Sequence, residues 1–318
     1  MRFIQITLSH FFGKKSGSKK EKVSTPLPTF KEMASREIDR HAHVVRPKTT
    51  ANERTALNSF MGYAGMDIRL KDITADTIRG FEAWLADRVV PNTAACYLRS
   101  LRSVLNRLGA DGKDLFRQVS TSGKKTRKRA VDIKFVKTIK DLQLEEGSKE
   151  ALARDTFLLS ILCMGIPFVD LAHLTRHHVR DGHIVYRRMK TGVEVSIAIE
   201  PCIQHIIDKY SKQSQPYLLP FLSSDGRKGT GLCHYQTALC NYNHQLKMLA
   251  DRHGLPKLTS YTARHTWASL SYKMGTHIGI ISKALGHTNP QTTMKYIKEL
   301  DDSEVEQANR DIMSTLGY

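Results

Sequence analysis

Cysteine is scarce: the chain has five thiols in 318 residues, Cys96, Cys163, Cys202, Cys233 and Cys240, an odd number with no paired spacing. That excludes a disulfide framework. Cys233 and Cys240 lie near His234 and His244, but a C-x6-C-x3-H spacing lacks the close pair of cysteines that structural zinc sites use. No metal is expected there. Long apolar runs are also missing. The longest, Thr156 to Val169, has neither the length nor the flanks of a membrane span. No small-residue cleavage site follows the short apolar run of the first twelve residues, so secretion is not expected either. These absences predict a cytoplasmic protein with no membrane partner. There is no glycine-rich phosphate loop, no G-x-S-x-G elbow and no carboxylate cluster fit for two metals. Nucleotide-driven, serine-hydrolase and two-metal chemistries are thereby set aside, and no cofactor is implied. Acidic residues are few: 31 Asp and Glu face 49 Lys and Arg, a formal net charge of +18. An excess of that size calls for a polyanionic partner, because unpaired cations otherwise repel one another. A hydrophobic content of 40% still provides for a packed core. The chain length suits two domains.

The positive charge is localised. Residues 1–50 carry a net +7, residues 101–130 another +7 and residues 201–298 a net +9, whereas the last twenty residues carry −5. Residues 1–26, with lysines among Gly and Ser, read as a basic flexible arm, either solvated or riding on nucleic-acid phosphate. The run Gly123-Lys-Lys-Thr-Arg-Lys-Arg129 reads as part of an exposed linker, 117–132. So many like charges in a linker are explained by contact with a phosphate backbone through Lys124, Lys125, Lys128 and Arg129.

Between arm and linker, residues 27–116 predict a small helical domain. Helices are expected from Phe30 to His43, from a cap at Thr49 or Thr50 towards Gly62, after Thr74, and from Thr93 to a stop at Gly109. The last shows an apolar face of Tyr97, Leu98, Leu101, Val104, Leu105 and Leu108, with Arg99, Arg102 and Arg107 opposite. Residues 133–300 read as mainly helical with one short antiparallel sheet. Its strands are His183 to Tyr186 and Val193 to Ile199, joined by a turn at Lys190-Thr-Gly192. Helices are expected at 133–143, 150–164, 201–213, 234–253, 260–274, 276–286, 290–299 and 302–315.

Near the end of the chain three short segments stand at set spacings. Tyr261-Thr-Ala-Arg-His-Thr-Trp-Ala268 opens a helix, Ala284-Leu-Gly-His287 closes another 23 residues after Arg264, and Thr292-Thr-Met-Lys-Tyr296 ends nine residues beyond His287. This pattern resembles the tyrosine recombinase, or phage integrase, family. Asn92-Thr93, Tyr97, Leu101-Arg102 and Asn106 resemble the last helix of that family's SAM-like core-binding domain, and Lys190 sits where the family keeps a hairpin lysine. The resemblance spans about residues 27–300. It implies a two-domain DNA clamp of SAM-like and catalytic domains, and site-specific recombination through a 3′-phosphotyrosyl intermediate.

By resemblance, Tyr296 is the nucleophile, Arg264 binds the scissile phosphate, Lys190 protonates the leaving 5′-oxygen, and His287 hydrogen-bonds the phosphate or assists proton transfer. Tyr261, His265 and Asp170 support them. Arg99 and Arg102 join the linker cations in binding DNA. The implied partners are duplex DNA with inverted-repeat core sites, a homotetramer on that DNA, and room for accessory proteins. The chemistry agrees with elementary needs. A phosphodiester repels nucleophiles until a cation binds it, and a phenol with a pKa near ~10 needs cations or a base to lose its proton.

Two positions depart from the family pattern. Tyr261 stands where the family usually has His. The first catalytic arginine is missing both from its usual place, Pro167 within Gly165-Ile-Pro-Phe-Val-Asp-Leu171, and from the shifted place of a conjugative-transposon-like branch, Met164. Arg154, Arg176, Arg187 and Arg188 are alternatives among which the sequence does not choose. A degenerate recombinase that only binds DNA, or a nicking enzyme without synapsis, are the rival readings. The acidic segment 301–318 places Val305, Ala308, Ile312, Met313 and Leu316 at near-helical spacing. Such a helix can fold back onto its own domain, and the resemblance implies docking on a neighbouring subunit.

Overall fold

The computed structural model describes residues 27–124, 129–210, 216–222, 231–294, 297, 309–310 and 312–314, without the side chains of 231–233 and 290. The chain divides between Thr126 and Arg127 into two compact units.

The first unit is helical. Helix α1 (Phe30–His41) begins at a capping box, with Thr29 and Glu32 each satisfying a backbone N–H of the other. Helices α2 (Pro47–Ala64) and α4 (Pro91–Arg107) each begin with proline as their first residue. The start signals therefore lie earlier than Thr49, Thr50 or Thr93. Proline's fixed φ suits the first turn, where its missing N–H is not needed. Helix α3 (Ala75–Ala86) starts at Thr74 as expected, through a capping box with Thr77. A short α5 (Gly112–Leu115), not expected from the sequence, closes the unit. Phe30, Phe60, Phe81, Leu85, Leu98, Leu101 and Leu105 are buried in a single core, completed by Phe116 and Val119.

In α4 the apolar face packs inward as its spacing predicts, but the opposite face is not uniformly free. Arg107 turns to the buried carboxylate of Glu53, donating two hydrogen bonds of 3.0 Å. Arg102 is half-buried, with its guanidinium 6.0 Å from the centroid of the Phe116 ring.

The second unit is mainly helical with one small sheet. It contains α6 (Ile133–Asp141), α7 (Lys149–Leu162), the short α8 (Phe168–Leu171), α9 (Pro201–Tyr210), α10 (Gly231–Arg252), α11 (Ser260–Lys273), α12 (Ile278–Ala284) and α13 (Pro290–Met294). Helix α7 is buried on several sides, at Ala151, Ala153, Phe157, Leu159 and Ser160, which suits the middle of a helical domain. The sheet is antiparallel, in the order β1 (Val179–Arg180), β2 (His183–Arg187), β3 (Glu194–Ala198). Strand β1 is too short to show a period and was not foreseen. Along β2 and β3, Ile184 pairs with Ile197 and Tyr186 with Val195, and these four face the core. The expected helix at 302–315 lies largely outside the described residues, although Ile312 and Met313 are described and exposed. No helix among the described residues is long and apolar enough to cross a membrane.

Candidate active site

Helix α11 begins after Thr259, whose hydroxyl and that of Thr262 form a capping box, while Ser260 N–H donates to Asn243 on α10. One turn in, Arg264 is buried, only 2% exposed. Its Nη1 donates to the Gly165 carbonyl at 2.8 Å, and its Nη2 donates to the Leu285 carbonyl at 2.6 Å and to His287 Nε2 at 3.0 Å. The backbone just after α7 passes so close that a Cβ on Gly165 would lie 3.1 Å from Arg264 Cα, and Gly165 itself has φ of 70°. Both facts require glycine at this position.

His287 follows the C-terminus of α12. Guanidinium only donates, so the Nε2 facing Arg264 is an acceptor, and the ring proton lies on Nδ1, which meets Thr293 Oγ at 2.8 Å. Burial pushes the His287 pKa down to about 4, and the charges of Arg264, Arg188 and Lys190 add to the shift. The imidazole is thus neutral at pH 7 and holds a lone pair towards the arginine.

The β2–β3 hairpin forms the other wall. Its turn is closed by hydrogen bonds from Gly192 N to Arg188 O at 2.8 Å and from Arg188 N to Val193 O at 2.9 Å. Lys190 sits exposed at its tip, near enough to depress His287. Thr191 Oγ1 donates to the Gly286 carbonyl at 3.2 Å, which ties the hairpin to the end of α12. Asp170 of α8 is buried and accepts from Met189 N at 2.9 Å and from Arg188 Nε at 3.2 Å. Arg188 Nη1 donates to the Leu285 carbonyl at 2.5 Å, the same oxygen that Arg264 uses.

The fold therefore brings Arg264, His287, Lys190 and Asp170 together. Tyr261 and His265 lie on α11 one turn apart along its length, with ring centroids 6.2 Å from each other, and Tyr261 is exposed. Tyr296 lies outside the described residues, as do Lys125 and Lys128, while Ile297 beside Tyr296 is buried. Arg99, Lys124 and Arg129 are exposed; Arg99 Nη1 donates to the Thr121 carbonyl at 2.5 Å. Two contributors escaped the sequence reading. Thr293, fully buried, orients His287; its only signal was its place in the Thr292-Thr-Met segment. Arg188 was one of four undecided arginines. Its signal was strand phase, because it continues the inward set Ile184, Tyr186 whereas Arg187 points outward to Glu194.

Two family models match the chain. One describes the phage integrase family and matches residues 155–303; the other describes the phage integrase SAM-like domain and matches residues 29–109. Tyrosine recombinase XerC of Rickettsia prowazekii (strain Madrid E) is 26% identical over 255 residues, covering 74% of this chain and 80% of the relative. Among solved structures, a lambda integrase dimer bound to a COC′ core site has a TM-score of 0.66 at 16% identity, covering 86% of this chain and 98% of that one. A lambda integrase tetramer bound to a Holliday junction gives 0.64 at 16% identity, over 86% and 80% of the two chains. The Tn1549 transposon integrase in complex with a circular intermediate DNA gives 0.63 at 16% identity, over 89% and 99%.

Proposed function

Because the chain belongs to the phage integrase family and is a tyrosine-type site-specific DNA recombinase, we propose that Tyr296 is its nucleophile and that Arg264, His287 and Lys190 serve the scissile phosphate. Cleavage forms a bond between the Tyr296 phenolic oxygen and phosphorus and breaks the bond from phosphorus to the 5′-oxygen. The 3′-phosphotyrosyl linkage conserves the energy of the phosphodiester, and attack by a free 5′-hydroxyl of the partner strand reverses the step. Arg264, held by the Gly165 and Leu285 carbonyls, stabilises charge on a non-bridging oxygen. With its pKa held near 4 and Nε2 accepting from Arg264, neutral His287 is a weak base in the free protein; the bound phosphate offsets the cations that depress it, and Nε2 then takes the phenolic proton. Lys190, exposed on its hairpin, gives a proton to the departing 5′-oxygen. Asp170 holds the hairpin through Met189 N and the Arg188 guanidinium. Tyr261 and His265 flank Arg264 on α11 in supporting roles.

The observation that carries this reading is the meeting, at the turn after α12, of the Arg264 guanidinium, which reaches the Leu285 carbonyl and His287, and the lysine hairpin, which reaches the Gly286 carbonyl through Thr191. The partner is duplex DNA with inverted-repeat core sites. The exposed Arg99, Lys124 and Arg129, with Lys125, Lys128 and Arg102, contact its phosphates. Four copies act together, as in the lambda integrase assembly on a Holliday junction; the exposed Ile312 and Met313 support docking of segment 301–318 on a neighbour.

The test is covalent trapping. A nicked duplex carrying a candidate inverted-repeat core site is mixed with wild type or Tyr296→Phe and run on a denaturing gel. An adduct that vanishes in the Phe variant is expected. Sequence-specific binding without any adduct would remove the assignment of Tyr296 as nucleophile.

A further inference from the structure

We infer that Arg188, reaching in from the β2–β3 hairpin, is the second guanidinium that binds the scissile phosphate, in place of the arginine absent at Met164 and Pro167. This inference rests on the assignment of the phosphate site to Arg264 and His287.

Three observations carry it. First, Arg188 and Arg264 donate to the same Leu285 carbonyl, so both guanidiniums stand at one point beside His287. Two cations sharing an acceptor repel each other, and a buried arrangement of this kind calls for compensating negative charge. Asp170 offsets one of them, at 3.2 Å from Arg188 Nε, while Lys190 adds a further cation nearby. The excess of cations suits a bound phosphodiester. Second, room is kept for this arginine. A Cβ on Gly286 would lie 2.5 Å from Arg188 Cδ and 3.2 Å from its Cγ, so the glycine of the Leu-Gly-His turn is what lets the Arg188 stem pass. Third, the rotamer is set without using the whole guanidinium. Nε is held by Asp170 and Nη1 by the Leu285 and Gly286 carbonyls, while Nη2 donates to nothing among the described residues. The depressed pKa of His287, to which Arg188 contributes after burial and Arg264, agrees with this proximity.

The other three arginines are placed elsewhere. Arg154 donates to Asp155 and to the Leu142 carbonyl. Arg187 points outward and pairs with Glu194, with its side chain 75% exposed. Arg176 is exposed on a short turn of 3-10 helix. Pro167 itself serves as the residue before α8. Chemically, charge builds on two non-bridging oxygens in the transition state, and one guanidinium for each stabilises it better than a single arginine.

The experiment uses the full chain and the nicked duplex described above, with adduct formation timed at saturating DNA. Arg188→Ala is expected to form adduct about 100-fold more slowly than wild type, as for loss of one donor to a developing oxyanion. Arg188→Lys retains a cation opposite Asp170, guards against a folding defect, and is expected to be slowed by about tenfold, because an ammonium lacks the guanidinium fork. The decisive arm replaces the scissile phosphate by a methylphosphonate, in which a neutral methyl group stands in for one charged oxygen. With less charge to stabilise, the gap between Arg188→Ala and wild type should shrink to within about tenfold. Equal slowing on both substrates would make Arg188 a purely structural residue and overturn the inference, as would Arg188→Ala cleaving the ordinary duplex at the wild-type rate. An adduct absent from the wild type itself would instead defeat the underlying assignment of Tyr296, and this inference would fall with it.

Discussion

His287 illustrates how neighbours fix the state of one side chain. Burial and three nearby cations all favour the uncharged ring, which holds its pKa near 4. The unfolded chain takes up this proton at an ordinary histidine pKa, near ~6.5. Between these values the unfolded state binds more protons, so the contribution of His287 to stability is present above about pH 6.5 and is lost as pH falls towards 4. His287→Gln, which keeps an acceptor for Arg264, should therefore flatten the acid side of the pH–Tm curve; an unchanged slope would contradict the buried neutral form. Binding of duplex DNA brings in an anion that offsets the three cations, so the His287 ring should titrate at higher pH in the complex, as nuclear magnetic resonance can measure.

At the scale of elements, the helical unit shows what a sequence period conveys and what it misses. The apolar face of α4 follows from spacing alone, because a helix turns its side chains by a fixed angle. Its arginines do not divide so simply. Arg99 remains exposed, but Arg107, with a long stem, reaches the buried Glu53 of α2 and joins it through two parallel hydrogen bonds. Truncating the arginine leaves a carboxylate out of water with its partner gone. Arg107→Met should therefore destabilise the protein by about 3 kcal/mol in denaturant unfolding, and Glu53→Met in the same chain should restore most of it. A loss too small to measure would place Arg107 among the solvated cations. The start of α4 makes a similar point: Pro91 begins the helix, and Thr93 lies inside its first turn.

At the scale of the whole molecule, the three basic stretches and the acidic end set how the chain meets its partners. Duplex DNA sheds counterions as phosphates are neutralised, so affinity should fall steeply with salt. Alanine at Lys124, Lys125, Lys128 and Arg129 together should weaken binding to all sequences alike and reduce the log–log salt slope by about one unit for each phosphate no longer neutralised. Weakening at the specific site alone would argue against a phosphate-binding linker. Deleting residues 302–318 should abolish strand exchange between sites and leave binding of one copy to a half-site intact. Undiminished recombination would return this segment to packing within its own chain.

Composition and spacing alone determined a great deal. A net charge of +18 pointed to nucleic acid, hydrophobic periods located most helices and both longer strands, and the distances from Arg264 to His287 and Tyr296 indicated the family. These features are local or additive, so a linear reading captures them. The tertiary structure alone decided which arginine stands beside Arg264. Arg264 and Arg188 are 76 positions apart in the numbering and meet only at a carbonyl after α12. Strand phase turned Arg188 inward, but that phase also fits a residue buried for packing. The difference lies in Asp170, Gly286 and Leu285, which come from α8 and from the turn after α12. Contacts between distant segments depend on how the helices and the hairpin pack, and no spacing within a single segment records that.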